Sequence, residues 1–252
     1  MNRVQGPEAV SRAYQDDRLA EEYLESRYEN NGLLKSIHQA QMRILHRFLR
    51  GRESCRVLEI ACGPARITAE LTEVRHGVAI DQSEPMLRIA ERRLKERKLE
   101  GWSVLRGDAF NLQFDDAEFD VVLTFKLLRH FDSPYREKLV KEIERVLKPN
   151  GFLLFDAVNA PACQWLYQKW GLTHSWIDDF HFTAHELRLE LEEQRFRAVR
   201  LHPVQRPIVG QYALFTRAQQ YLPNWASAFG SRTLNWLPFG MPLEWVVECR
   251  RA

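Results

Sequence analysis

Short apolar runs alternate with amphipathic stretches through the middle of the chain. The apolar runs, each bounded by polar or turn-forming residues, predict five strands: RVLEI (56–60), GVAID (77–81), WSVLRGD (102–108), FDVVLTF (119–125) and GFLLFD (151–156). Apolar residues at helical spacing between these runs predict helices in RITAELTEV, EPMLRIAERRLKERK and SPYREKLVKEIERVLK. Strands that alternate with helices in this way are typical of a parallel sheet covered on both faces.

The last of these helices has recognisable boundary signals. Ser133 followed by Pro134 predicts its start, with serine as the cap and proline in the first turn. The run KPNG (148–151) predicts the turn that ends the helix and leads into the fifth strand.

Outside this middle region the pattern is less regular. It predicts helices over 8–30, 33–49 and 185–196, and two more strands, RAVRLHPV (197–204) and EWVVECR (244–250). Between these two strands lie about forty residues rich in Tyr, Trp, Phe and Pro, the 205–243 insertion. Its length and composition are typical of a lid or binding loop, and a dimer surface or a membrane-touching face stays open as an alternative.

The composition narrows the class of protein. Apolar residues make up 45% and charged residues 28% of the 252 residues, as in an ordinary soluble globular protein. The net charge of +2 gives no general attraction to nucleic acid, so we expect no nucleic-acid partner. No signal segment and no run long enough for a membrane span is visible, so we expect no integral membrane segment. Four cysteines without a C-x-x-C pair favour a reducing compartment, and we expect a cytoplasmic location.

The stretch VLEIACGPAR (57–66) ends the first predicted strand in small residues around a single glycine. The dinucleotide fingerprint G-x-G-x-x-G would place its glycines at Ala61, Gly63 and Arg66, and only the middle position matches. The third position needs a small residue for helix–strand packing, but it is occupied by the large Arg66. This weakens the interpretation of the chain as a nicotinamide-dependent oxidoreductase. A phosphate-binding P-loop is excluded because G-K-[ST] does not follow.

A different spacing fits the stretch: an acid (Glu59), then Ala61, Gly63 and Ala65 at alternate positions. It resembles motif I of class I S-adenosylmethionine-dependent methyltransferases, V-L-[DE]-x-G-x-G-x-G. Because the alanine Cβ disfavours positive φ, we expect Ala61 and Ala65 at ordinary backbone angles, with the loop slightly further from the ligand. Gly63 is the position at which we expect least tolerance of substitution.

Further motifs follow in the order found in this family. DQSEPML (81–87) resembles D-x-S-x-x-M-L after strand two, and GDAFNLQF (107–114) stands after strand three. FDVVLTFKLLRHF (119–131) resembles F-D-x-V-x-x-x-x-x-L-x-H, and LKPNGFLLFD (147–156) resembles the L-K-P-G-G turn. The resemblance covers roughly residues 14–160 and is architectural beyond them.

The resemblance implies that the cofactor is S-adenosylmethionine. Asp81 would accept both ribose hydroxyls, Met86 would pack near the adenine, Asp108 would accept from the adenine amino group, and the Ala109 N–H would reach the ring. Arg27 would pair with the methionine carboxylate. The other positions carried over to the cofactor site are Tyr14, Tyr23, Glu59, Ala61, Gly63, Gln82 and Phe125. Alternatives stay open for two of these residues. Glu59 either reaches the cofactor amino group through water or only holds the loop. Asp108 either contacts the adenine or is only a helix cap.

The acceptor side is less well defined by the resemblance. His130 is the catalytic candidate, as a general base, and a hydrogen-bonded structural histidine is the alternative. Arg129 stands where a second histidine is common in the family, and Lys126 either binds an anionic substrate or is simply exposed. His174, His181 and His185 have a spacing that allows a metal site on paper, but we expect no metal because metal-free transfer is the family's default.

The predicted fold class is α/β: a Rossmann-like, seven-stranded, mostly parallel sheet with helices on both faces, an N-terminal helical cap and an aromatic-rich insertion before the last strand. We expect one domain over 1–252, with the cap at 1–50, the cofactor-binding core at 51–160 and substrate-side elements at 161–252.

The implied function is methyl transfer to a small, partly apolar acceptor, with O-methylation favoured over N- or C-methylation. The alternative is a non-catalytic S-adenosylmethionine-binding regulatory or partner protein, which the two alanines and Arg129 support. A homodimer stays open.

Overall fold

The structure, a computed structural model, describes residues 8, 14–24, 28, 31–170, 180–206 and 240–252. Every structural statement below concerns these residues. Some of the predicted positions lie outside them: Arg27, His174 and most of the 205–243 insertion.

One sheet organises the described part of the chain. Its strands are β1 (Arg56–Ile60), β2 (His76–Asp81), β3 (Trp102–Arg106), β4 (Phe119–Thr124), β5 (Leu147–Asn159), β6 (His181–Phe182), β7 (Phe196–Val204) and β8 (Glu244–Arg251). The order is β3-β2-β1-β4-β5-β8-β7, with the short β6 beside the end of β5. Strands β1 to β6 pair in parallel, whereas β8 is antiparallel to both β5 and β7. The predicted mostly parallel sheet is therefore confirmed.

The helices are α1 (Asp17–Leu24), α2 (Gly32–Leu49), α3 (Glu84–Glu96), α4 (Ser133–Val146), α5 (Ala160–Trp170) and α6 (Ala184–Glu193). Successive residues of the central strands face opposite sides of the sheet. Val57 and Leu123 therefore belong to one apolar cluster together with Leu45 of α2. Leu58 and Val122 belong to the cluster on the other face. Burial on both faces explains why the central strands are nearly continuous apolar runs.

Two details of the helix predictions are wrong. The cap of α4 is Asp132, whose carboxylate accepts from the Tyr135 N–H at 3.3 Å, and Ser133 is the first helical residue. The KPNG segment is included in β5 instead of separating it from the helix, although Asn150 has a turn-like φ of 65°.

The predicted helix RITAELTEV is also wrong, because only a single 3-10 turn, Thr68–Glu70, forms there. The segment turns inward: Thr68 is buried, and its hydroxyl donates to the buried carboxylate of Glu59. Arg66 is buried as well, among polar partners. These interior polar contacts compete with the regular backbone hydrogen bonds of an α-helix.

Candidate active site

A cleft of about 980 Å³ opens at the carboxyl ends of β1, β2 and β4. In parallel α/β sheets this edge is where ligands bind. The predicted site residues within the described part of the chain all line the cleft: Tyr14, Tyr23, Glu59, Ala61, Gly63, Asp81, Gln82, Met86, Asp108, Ala109, Phe125 and His130. The structure thus brings together residues that are more than one hundred positions apart in the sequence.

Asp81 ties the tips of β1 and β2 together. Its Oδ2 accepts from the Gly63 N–H at 2.8 Å, and its Oδ1 accepts from the Ser83 N–H at 2.9 Å. Burial raises the pKa of the Asp81 carboxyl above its ordinary value, while the two N–H donors favour the ionised form. The carboxylate is therefore fixed at the cleft wall by the loop that follows β1.

The backbone of that loop corrects the expectation for its alanines. Ala61 has φ 57° and Ala65 has φ 55°, close to the 53° of Gly63 between them. Left-handed angles cost an L-residue roughly 1–2 kcal/mol each. Hydrogen bonds hold the turn against this cost: the Cys62 N–H donates to the Ile80 carbonyl at 2.9 Å, and the Ala65 N–H donates to the Cys62 carbonyl at 3.1 Å. The loop thus has glycine-like geometry without three glycines.

Glu59 lies beneath the same loop and lines the cleft. Burial raises the pKa of its carboxyl to about 7, against the opposing effect of the Thr68 hydroxyl, which donates to it. The contact with Thr68 fits the loop-holding alternative for Glu59. The proposed water-mediated contact to a cofactor stays a prediction.

The loop after β3 forms the next wall of the cleft. The Asp108 carboxylate accepts from the Phe110 N–H at 2.9 Å, which shapes the turn as a cap would. Phe110 also lines the cleft and meets the ring of Phe131 edge-on, with centroids 5.1 Å apart. Sequence reasoning missed both phenylalanines; their positions directly after a predicted strand end and before a predicted helix were the available signal.

The N-terminal segment closes another side. The Ser83 hydroxyl donates to the Tyr14 carbonyl at 2.6 Å, and Tyr14 and Tyr23 meet edge-on with centroids 6.2 Å apart. Arg92 of α3 pairs with Glu21 of α1 at 2.8 Å. Met86 at the start of α3 is 2% exposed and packs in a small cluster with Ala20. The segment is therefore attached to the wall that carries Asp81.

The side of the cleft at β4 and β5 is charged. The Lys126 N–H donates to Asp156 Oδ1 at 2.6 Å, and the Lys126 Nζ lies 3.7 Å from Asp156 Oδ2 and 3.8 Å from Glu244 Oε2. Arg129 donates to Asp156 Oδ2 at 3.0 Å. Burial alone would raise the pKa of the Asp156 carboxyl, but Lys126 and Arg129 hold it below its ordinary value. The alternative in which Lys126 is simply an exposed residue therefore does not hold. Arg129 is buried and forms an ion pair with Asp156.

Arg66 is a cleft residue whose role sequence reasoning missed. Its guanidinium donates to His38 Nδ1 at 2.7 Å and to Gln41 Oε1 at 3.0 Å. The Gln41 amide in turn donates to Glu244 Oε1 at 2.6 Å, which links Arg66 to the charged side. Because Arg66 can only donate, His38 accepts at Nδ1 and donates from Nε2 to Glu70 at 2.7 Å. The sequence feature that could have indicated these contacts is the position of a single arginine after a run of small residues.

His130 lies on the 3-10 turn Leu128–His130 and is half-buried in the cleft wall. Its proposed role as a base stays a prediction. Within the described ranges, no three His, Cys, Asp or Glu side chains are grouped as metal ligands would be. No helix in the described part of the chain is long and apolar enough to cross a membrane.

Comparison with known proteins shows what the core of the chain is similar to. A family model described as a methyltransferase domain matches residues 57–151, from β1 into β5. The demethylmenaquinone methyltransferase of Leptospira interrogans is 37% identical over 131 residues, 50% of this chain and 49% of that protein. Phthiotriol/phenolphthiotriol dimycocerosates methyltransferase 1 of Mycobacterium ulcerans is 35% identical over 103 residues, 40% of this chain and 36% of that protein. The chain thus spans about half or less of the length of these relatives.

The fold has a solved counterpart. The crystal structure of magnesium protoporphyrin IX methyltransferase from Synechocystis PCC 6803, with bound S-adenosylhomocysteine, matches with a TM-score of 0.69 at 12% identity. The match covers 98% of this chain and 100% of that chain, and at this identity it shows the fold alone. The sheet order and the position of the cleft agree with the methyltransferase domain that the family model describes. Residues 57–151 of this chain are its matched core.

Proposed function

We propose that the chain transfers a methyl group from S-adenosylmethionine to a small, partly apolar acceptor, with oxygen favoured over nitrogen or carbon as the acceptor atom. The observation that carries the proposal is the hydrogen bond from the Gly63 N–H to Asp81 at the open edge of the parallel sheet. It places a backbone loop and a carboxylate side by side, as recognition of an adenosyl ligand requires.

The described residues fit this cofactor. The cleft offers a carboxylate for ribose hydroxyls at Asp81. Met86, Asp108 and Ala109 line the part of the cleft where an adenine would lie between α3 and the loop after β3. When bound, S-adenosylmethionine supplies a methyl group on a positively charged sulfur.

The chain's own residues would act mainly by position. Tyr14, Tyr23 and Phe125 line the cleft and would exclude water from the reacting atoms. The walls would hold donor and acceptor in line, which is the largest contribution such a transfer needs from the protein. His130 would remove the proton of a hydroxyl acceptor.

An apolar acceptor agrees with the lining and with the relatives. Phe110, Phe125 and Phe131 all border the cleft. The relatives reported above are named for demethylmenaquinone and for phthiotriol/phenolphthiotriol dimycocerosates. We therefore favour a ring- or lipid-like acceptor that carries a hydroxyl group.

The structure weakens the argument for the non-catalytic alternative. Its main argument was the replacement of glycines by Ala61 and Ala65. Both alanines take the left-handed angles that glycines would take, so the loop keeps its shape.

Methyl transfer is tested with S-adenosylmethionine that carries a deuterated methyl group. The chain is incubated with this donor and either a small-molecule extract or a panel of phenols and quinols, followed by mass spectrometry. We expect a mass-shifted product that the wild type forms and Asp81→Asn does not. Asp116→Asn, which changes an exposed aspartate outside the cleft, serves as the matched control. Adenosyl binding without a product in either sample would favour the non-catalytic alternative.

A further inference from the structure

The side of the cleft at β4 and β5 contains four charged side chains in contact. Glu244, Asp156 and Arg129 have side chains that are 0%, 1% and 2% exposed. Lys126 keeps 21% of its side chain exposed, and of the four it is the one that lines the cleft. A ligand in the cleft therefore meets this cluster through Lys126.

The ammonium of Lys126 has hydrogen-bonding capacity left. Its distances of 3.7 Å to Asp156 and 3.8 Å to Glu244 compensate its charge but are too long for hydrogen bonds. The two carboxylates make shorter contacts with other residues: Arg129 donates to Asp156 at 3.0 Å, and Gln41 donates to Glu244 at 2.6 Å. An ammonium carries three donors. Within the described part of the chain, none of them has an acceptor at hydrogen-bond distance.

The backbone fixes where this lysine stands. Lys126 stands two residues after the end of β4 and has φ 65°, an angle that costs energy for any residue with a Cβ. The 2.6 Å bond from its N–H to the buried carboxylate of Asp156 holds it there. Angles of this kind persist where the surroundings enforce them, and they cluster at functional sites.

We propose that Lys126 binds the methyl acceptor as an oxyanion, the ionised oxygen of a phenol- or enol-type hydroxyl. The proposal rests on the proposed function and names the acceptor class for the same site. A cation favours the ionised form of an adjacent hydroxyl, and hydrogen bonds to an ionised acceptor are stronger than those to a neutral one.

The chemistry balances without a further reactant. The hydroxyl proton passes to His130, the proposed base, and from there to solvent, and Lys126 exchanges no proton with the acceptor. A lone pair of the oxygen forms the new O–CH₃ bond, and the S–CH₃ bond breaks with its electrons on sulfur. Lys126 thus lowers the free energy needed to form the ionised nucleophile. The transfer itself then depends on the alignment of the oxygen with the methyl group.

The test uses 4-nitrophenol, because its phenolate absorbs visible light and its phenol form does not. The full chain, saturated with S-adenosylhomocysteine, is titrated into the probe at a pH where the free probe is mostly protonated. We expect phenolate absorbance with the wild type and at least about tenfold weaker phenolate binding with Lys126→Met. Lys126→Arg should retain most of the signal because it keeps the charge. Lys95→Met, at an exposed lysine of α3, should equal the wild type.

Equal phenolate absorbance in Lys126→Met and wild type would overturn the proposal, as would no phenolate signal with the wild type. A parallel titration with S-adenosylhomocysteine separates this result from the proposed function, because Lys126→Met should bind that ligand as the wild type does. If Lys126→Met does not fold, Lys126→Gln carries the same test, since it keeps a donor but loses the charge.

Discussion

Gly63 and Asp81 are joined by a 2.8 Å hydrogen bond from the glycine N–H to the carboxylate, across the tips of two adjacent parallel strands. This bond couples the shape of the first loop to the carboxylate that the proposed function assigns to the ribose. A change at either residue should therefore disturb both.

Replacing Gly63 by a residue with a Cβ should lower the free energy of unfolding by a small amount. At φ 53° an alanine is strained, although its Cβ would meet no atom within 4 Å. We expect Gly63→Ala to lose about 1 kcal/mol of unfolding free energy, because the strain of roughly 1–2 kcal/mol is partly offset by the lower entropy of the unfolded chain. Ala61→Gly is the reverse change at φ 57° in the same loop and should not lose stability. Urea unfolding of the two variants measures both, and a loss in Ala61→Gly larger than that in Gly63→Ala would contradict the strain argument.

Glu59 should make stability depend on pH. Its pKa of about 7 in the folded chain is above the ordinary 4.5, so the folded state holds the proton more tightly. Its stabilising contribution is therefore complete below about pH 4.5 and is lost as pH rises through 7, by roughly 3 kcal/mol. We expect Glu59→Gln to gain stability relative to wild type between pH 5 and 8 by about that amount.

Urea unfolding at several pH values checks this prediction for Glu59. Glu193→Gln, at an exposed position of α6, should run parallel to the wild type over the same range. A constant difference between Glu59→Gln and wild type would show that Glu59 has an ordinary pKa in the folded chain.

Arg129 should matter to stability far more than an exposed arginine does. Its removal leaves the buried carboxylates of Asp156 and Glu244 with Lys126 as their remaining cation within the cluster. We expect Arg129→Met to lose about 3–5 kcal/mol. Arg200→Met removes an exposed arginine 3.7 Å from Glu248 and should lose less than about 1 kcal/mol. Thermal and urea unfolding compare the two, and similar losses would contradict the burial argument.

His130 should affect turnover and leave cofactor binding unchanged. If it removes the acceptor proton, His130→Gln lowers kcat/KM by roughly 10²–10⁴-fold for the acceptor found in the extract assay. Binding of S-adenosylhomocysteine should stay at the wild-type level. His202→Gln is the control, because His202 lies on β7 and pairs with Glu248 of β8. Unchanged kcat/KM in His130→Gln would remove the histidine from the mechanism.

The sequence predicted the sheet because its strands are buried on both faces and bear a simple apolar signature. It predicted residues that line the cleft because Asp81 ends β2, and Gly63 and Asp108 stand within three residues of the ends of β1 and β3. It failed where tertiary contacts override local preference. The alanine angles depend on the bonds to Cys62 and Ile80, and the missing helix after β1 depends on interior polar partners that lie far away in the sequence.

The charged side of the cleft shows the same limit. Nothing near Lys126 in the sequence indicates Glu244, which reaches it because β8 returns antiparallel beside β5. The adjoining contact between Gln41 and Glu244 joins residues 203 positions apart. Local patterns contain no information about such pairs.

Isothermal titration of the chain with S-adenosylhomocysteine, beside Asp81→Asn and Asp116→Asn, tests the central claim most directly. We predict micromolar-range binding that Asp116→Asn keeps and Asp81→Asn loses by tenfold or more, because a charge-assisted bidentate contact is removed. NAD titrated in parallel should show no comparable binding. No adenosyl binding by the wild type, or equal binding by Asp81→Asn, would contradict the assignment of this cleft to the cofactor.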